Sequence, residues 1–376
     1  MRKFRNLVVE GLENRSMLAG NVAVSVSGNT LMITGDNLAN GVSVQELDKG
    51  KYFVSGFALG GSNTTINGHT GGVVASQAIQ GIHVVLNGGD DVFVMSNSKF
   101  RRDQLAADFS GGTAGTIPTS PVAPSGTTQP VTTRVYGNFY IDGGAGNDGI
   151  GYGARVGTKD ANGNFISGVV HVIGGDGADR VIGDRTEAFD DMLFETGNGN
   201  DSVHADHARV GDFLFANLGG GNDAFSSTDG HGYHSQIYGE DGDDNIFVDD
   251  YHFDQEVFLN GGDGNNTITA MKMEGATAVQ ITTGSGADKI NVSGSSTTGS
   301  YLVNTGSGND SVSLGGLDVH LGTLSVALGD GNDTLRVGSS KVHNANFDGG
   351  AGDDSYFNDG NNSFDSVNKT NFEHNS

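Results

Sequence analysis

Ile281-Thr-Thr-Gly-Ser-Gly-Ala-Asp-Lys-Ile290 is followed 22 residues later by Val303-Asn-Thr-Gly-Ser-Gly-Asn-Asp-Ser-Val312. In both stretches an apolar residue leads in, two glycines alternate with small residues, an aspartate closes the turn, and an apolar residue stands two places further on. The turn occurs ten times between Gly144 and Asp354, closing on Asp148, Asp179, Asp201, Asp223, Asp244, Asn266, Asp288, Asp310, Asp333 and Asp354. The spacings are 31, 22, 22, 21, 22, 22, 22, 23 and 21 residues. So regular a period predicts a solenoid of about 22 residues per coil, with the turn on the same corner of every coil.

Numbered from the closing residue, position −7 is apolar in all ten coils, from Ile141 and Val172 to Val326 and Phe347. Position +2 is apolar in all ten as well, from Ile150 and Val181 to Leu335 and Tyr356. Alternation continues at +4 (Val248, Val292, Leu314, Val337) and at −9 (Val170, Val257, Val279, Leu324). The period is two, so a strand with an inward side chain flanks each side of the turn. Parallel strands that rise about 4.8 Å per coil and pair with the coils above and below make an all-β fold, a parallel β-helix or β-solenoid.

Glycine fills −2 in every coil and −4 in all but one, where Glu240 stands; these are positions for positive φ or close backbone approach. Asn or Asp at −1 (Asn147, Asn200, Asn222, Asp243, Asn265, Asn309, Asn332, Asp353) is expected to serve the same left-handed geometry. The third side of the coil, about +6 to +12, varies and absorbs differences in length.

Five segments follow from this pattern. Residues 1–20 read as a targeting-like N-terminal segment, basic at Arg2, Lys3 and Arg5 but without an ordinary signal-peptide apolar core. Residues 21–110 read as irregular N-terminal coils, with Leu31-Met-Ile-Thr-Gly35 in one and Val84 to Val94 in another. Residues 111–134 carry all four prolines and read as a projecting loop. Residues 135–357 hold the regular repeats, and residues 358–376 a polar tail or cap.

With 63 Gly, no Cys and no Trp among 376 residues, the chain is too poor in bulky apolar groups for a broad globular core and has no disulfides. A net charge of −25 repels nucleic acid and anionic membrane, leaving cations as the natural partners. No run of 18 apolar residues exists, so no transmembrane helix is expected.

Gly143-Gly-Ala-Gly-Asn-Asp-Gly-Ile150 and Gly349-Gly-Ala-Gly-Asp-Asp-Ser-Tyr356 resemble the Gly-Gly-x-Gly-x-Asp-x-apolar-x repeat of hemolysin-type (RTX) calcium-binding proteins. That motif recurs every nine residues in the family; here it recurs about every 22, so the resemblance covers the turn and not the residues between. It implies calcium held between stacked turns by aspartate carboxylates and turn carbonyls, with Asp148, Asp179, Asp201, Asp223, Asp244, Asp288, Asp310, Asp333 and Asp354 as ligands. Separately, Leu12-Glu-Asn-Arg-Ser-Met-Leu-Ala-Gly20 resembles the N-terminal segment of planctomycete surface and secreted proteins, which implies an extracellular or cell-surface location.

Charge physics supports the same corner. Carboxylates stacked about 5 Å apart repel by roughly 1 kcal/mol in water and more at lower dielectric. Calcium offsets this with six to eight oxygen ligands in loose geometry. The alternative is that each Asp bonds amides of its own turn without metal, which Asn266 in register would serve equally well. Two histidine pairs also fall in register, His231 with His252 at +8 (beside Asp229 and Asp250 at +6) and His320 with His343 at +10, but a site needs three or four converging ligands.

Parallel β-helices include polysaccharide lyases and hydrolases. Outward positions here read as mostly Ser, Thr, Asn and small residues, and no acid pair stands at the spacing of general acid and base. The expected role is therefore non-enzymatic: a calcium-binding structural or adhesive module, with cell-surface polysaccharide or other surface proteins as partners.

Overall fold

The computed structural model describes residues 20–59, 62–75, 78–95, 133–159, 161–163 and 165–376. Residues 1–19 of the targeting-like segment and 111–132 of the proline-rich loop lie outside them. Among the described residues every regular element is a strand, and the chain is a β-solenoid of about eleven turns with a period near 22 residues. Among the described residues no helix is long and apolar enough to cross a membrane.

Two long parallel sheets run along the solenoid. One collects the strand that enters each turn: Phe139–Ala145, Val170–Asp176, Met192–Asn198, Phe213–Asn217, His234–Tyr238, Glu256–Asn260 and onward to Lys341–Asp348. The other collects the strand that leaves it, from Gly149–Tyr152 and Arg180–Gly183 to Thr334–Gly338 and Ser355–Asn358. Register follows the sequence period: Ile237 lies against Leu259, Leu259 against Ile281, and Ile281 against Val303.

All side chains of the −7 and +2 columns are buried in one continuous hydrophobic core between the sheets. Burying one Val, Ile or Leu contributes about 1.5–3 kcal/mol, so a coil that contributes four such residues is held mainly by this column packing. The two columns reach further toward the N-terminus than the ten repeats. Val84 and Phe93 continue them, as do Ile33 and Val42, through strands Thr30–Thr34, Gly81–Val85, Gly41–Asp48 and Val92–Met95. The first coils are irregular because Gly41–Asp48 folds back antiparallel on Lys51–Gly56, and Asn21–Ser27 on Thr30–Thr34.

At the other end Ser363–Thr370 pairs with Lys341–Asp348 and His374–Asn375 with Ser355–Asn358, so the polar C-terminal residues form a further coil over the core. Strand Thr133–Val135 pairs in parallel with Ala154–Val156.

The glycines of the turn answer to stacking as much as to dihedral angle. At Gly308 φ is 141°, and a Cβ would lie 1.6 Å from the Gly286 carbonyl oxygen of the preceding coil. Any larger residue would part the coils. The expectation for −1 is corrected here: none of the Asn or Asp residues at that position has positive φ. Within the ten repeated turns the left-handed non-glycine residue is Glu240 at −4, with φ 77°, where the other nine place glycine. A second left-handed corner falls at +6, occupied by Arg185, His207, Asp229, Asp250, Lys272 and Ser339 with φ between 46° and 55°.

Candidate functional site

Each closing aspartate enters from the end of a Gly-x-Gly turn and points inward, between the two sheets. All nine, and Asn266, are at most 2% exposed. Their Oδ1 atoms form a ladder between coils: the Asp148 amide donates to Asp179 Oδ1 at 2.8 Å, Asp179 to Asp201 at 2.7 Å and Asp201 to Asp223 at 2.7 Å. The series continues through Asp244, Asn266, Asp288, Asp310 and Asp333 to Asp354. The metal-free alternative pictured each Asp bonding its own turn; instead each carboxylate accepts the amide of the preceding coil.

The ladder has members that the sequence pattern missed. Asp91 accepts from the Asn40 amide at 2.6 Å, and its own amide donates to Asp148. At the far end the Asp354 amide donates to Glu373 Oε2 at 2.8 Å. A signal for Asp91 exists in Gly88-Gly-Asp-Asp-Val-Phe93, with apolar Val84 at −7 and Phe93 at +2. It was masked by Asn87 at −4, with φ 74°, and by the 57 residues that separate Asp91 from Asp148.

A second ladder explains the Asn and Asp residues at −1. It is exposed and runs the opposite way: the Asn222 amide donates to Asn200 Oδ1, Asp243 to Asn222, Asn265 to Asp243 and Ala287 to Asn265. Neighbouring turns are thus tied twice, once inside and once at the rim.

The inner ladder leaves half of each carboxylate unused. Oδ2 of Asp91, Asp148, Asp179, Asp201, Asp223, Asp244, Asp288, Asp310, Asp333 and Asp354 is buried with no hydrogen-bond donor. Threonines stand near by in some coils, but the hydroxyls of Thr196, Thr283 and Thr305 donate to the carbonyls of Leu218, Thr305 and Leu328. A buried carboxylate oxygen without a donor is costly, and burial drives these groups toward the neutral acid. Desolvation raises Asp91 to about 9, Asp148 and Asp201 to about 8, Asp179 and Asp223 to about 7, and Asp244, Asp288 and Asp333 to about 6.

Asn266 reveals what surrounds the unused oxygen. Its Nδ2 donates to Gly262 O at 2.9 Å and to Gly264 O at 3.3 Å, the carbonyls at −4 and −2 of its own turn. In an Asp coil the corresponding atom is Oδ2, an acceptor that cannot make these bonds when ionised. A carboxylate oxygen converging with two turn carbonyls is the donor set of a hard cation. The residues therefore fit calcium in the aspartate coils, and Asn266 fills the same space with its own amide.

The histidine pairs separate. His231 and His252 stack, ring centroids 5.3 Å apart, and both face Asp254 rather than Asp229 or Asp250. His320 and His343 face different carboxylates, Asp318 and Asp365. Asp190 and Asp191 lie near Asp212.

The outer face of the entering sheet departs from the expected small polar residues. His83 stacks on Tyr140 at 4.5 Å and Tyr140 meets His171 edge-on at 5.3 Å. Further along, Phe215, Tyr238 and Phe258 form a second half-buried run. His83, Tyr140, His171, Phe215 and Phe258 stand at −8 and Tyr238 at −6, on either side of the core column at −7, which is why these rings point outward; the inward pattern alone drew no attention to them.

Comparison with known proteins returns no match: no family model, no curated protein and no solved structure is significantly similar to this chain. Fold and corner together define an acidic parallel β-solenoid with a buried aspartate ladder.

Proposed function

We propose that this chain is a calcium-binding structural module, with cations seated along the aspartate corner between Asp91 and Asp354. One observation carries the reading: ten buried carboxylate oxygens without donors, in the position from which the Asn266 amide reaches two turn carbonyls. Bound calcium would keep the carboxylates ionised and supply the charge that offsets their stacking, while each Oδ1 keeps its amide. The role is non-enzymatic and adhesive or structural, at the cell surface or outside the cell, where calcium modules work at about 10⁻⁴–10⁻³ M free ion. The outward aromatic run supports a polysaccharide partner, since ring faces pack on the apolar faces of sugars while flanking polar groups bond hydroxyls.

A second reading is favoured by the raised proton affinities and by Asn266: the ladder folds without metal as neutral carboxylic acids, each Oδ2–H donating where the Asn266 amide does. Calcium titration of the purified chain, followed by circular dichroism and calorimetry, separates the two. A ligand that binds only the native state raises its stability as concentration passes the dissociation constant. Unchanged melting in millimolar calcium at pH 8 defeats the calcium reading. Incubation with acidic and neutral polysaccharides is expected to give no new reducing ends or unsaturated products; turnover would restore the lyase alternative.

A further inference from the structure

The second corner of the solenoid carries chemistry that the aspartate ladder does not use. Strands Ala224–Gly232 and Asn245–Phe253 lie parallel and in register, pairing Gly230 with Tyr251, His231 with His252 and Gly232 with Phe253. Just before the histidines the chain bends at left-handed Asp229 (φ 49°) and Asp250 (φ 54°), so both imidazoles leave the same edge one coil apart. Their rings are 12° from parallel. Two residues after His252 the Asp254 amide donates to Gly232 O at 3.1 Å, which returns the Asp254 carboxylate beside both rings.

We propose that His231, His252 and Asp254 form a surface site for one divalent transition-metal ion of the zinc type, ligated by both Nε2 atoms and the Asp254 carboxylate. His231 Nε2 lies 3.4 Å from Asp254 Oδ2, and His252 Nε2 lies 3.4 Å from Asp254 Oδ1. With metal–ligand bonds of about 2.0–2.2 Å, two ligands of a tetrahedral ion stand roughly 3.3 Å apart. Both histidine–carboxylate separations match that spacing, and one ligand atom from each residue lies within 4.8 Å of the others. All three side chains are 42–48% exposed, so the rings can turn their lone pairs inward without disturbing the core, and water can complete the coordination.

Ligand type sets the metal. Imidazole nitrogen selects zinc or copper over calcium, which takes oxygen, so this site and the aspartate corner discriminate between ions. Binding requires deprotonated ligand atoms, so affinity should fall in acid. Arg209 is in backbone register with His231 and Glu274 with His252, one on each side of the pair, and Glu187 and Lys159 line the same hollow as His231 and Asp254.

Zinc alone is titrated calorimetrically into the full chain at pH 7.5 with saturating calcium present, so that the aspartate corner stays silent. One zinc per chain is expected. His231→Ala with His252→Ala should abolish it, and Asp254→Asn should weaken it about tenfold or more. His320→Ala with His343→Ala should leave it intact, because those rings share no third ligand. A readout that needs no variant is diethyl pyrocarbonate modification mapped by peptide mass spectrometry: zinc should protect His231 and His252 and leave His320 reactive. Absence of a zinc isotherm in the wild-type chain, equal binding by the His231/His252 variant, or no selective protection would overturn the proposal.

Discussion

Asp288→Asn is the sharpest perturbation of the corner, because Asn266 already shows its outcome one coil away. In calcium-free solution at pH 8 the wild-type carboxylate, whose proton affinity burial lifts to about 6, must be ionised with Oδ2 buried and unpartnered. The asparagine keeps the Oδ1 contact to the Asn266 amide, now 2.7 Å, and turns two donors toward the Gly284 and Gly286 carbonyls. Relief of one unsatisfied buried acceptor is worth about 1–3 kcal/mol. The variant should therefore be more stable than wild type by about that amount in EGTA at pH 8, read from urea midpoints. At pH 5 the wild-type acid is protonated and the difference should shrink toward zero. In calcium the order should reverse or narrow, since the variant has lost one site. The reciprocal change Asn266→Asp should destabilise the EGTA form and add calcium binding. Loss of stability by Asp288→Asn in EGTA at pH 8, with calcium stabilisation equal to wild type, would refute the reasoning.

Three further outcomes follow from the same geometry. The folded state holds protons on the ladder more tightly than the unfolded chain, whose aspartates titrate near 4. The ladder's contribution is thus fully present below about pH 4 and is lost as pH rises through the native values of about 6 to 9; calcium-free melting curves between pH 5 and 9 should show a steady fall that millimolar calcium suppresses. Gly308→Ala puts a Cβ 1.6 Å from Gly286 O at φ 141°, and should cost several kcal/mol, about 3 or more, measured by urea unfolding, with the loss of protection in hydrogen exchange centred on the adjoining coils. Phe225→Ala empties a buried ring site in the +2 column and should cost about 3–5 kcal/mol by the same assay while leaving zinc and calcium stoichiometry unchanged.

Much of the fold was legible because the solenoid repeats its physics. A turn of fixed length forces the same residue into the same place in each coil, so Ile281 and Val303, or Ile290 and Val312, announce one inward position by recurrence alone. The glycines at −2 and −4 were legible as turn residues for the same reason. Their full cause, a carbonyl of the coil below where a Cβ would go, belongs to stacking and has no trace in a single coil.

What the linear order determined was therefore everything local and periodic: strand, turn, inward column, acidic corner. Tertiary structure decided whatever depends on which coils touch. It showed that Asp179 serves the amide of Asp148 across 31 residues, that Asp91 and Glu373 complete the ladder at its ends, and that the Asn residues at −1 build an outer ladder instead of adopting left-handed φ. It also chose Asp254 over Asp229 and Asp250 as the partner of the histidine pair, and gathered Phe215, Tyr238 and Phe258 on one outer face. Those choices rest on register between strands a full coil apart, where a shift of one residue would reverse every side chain.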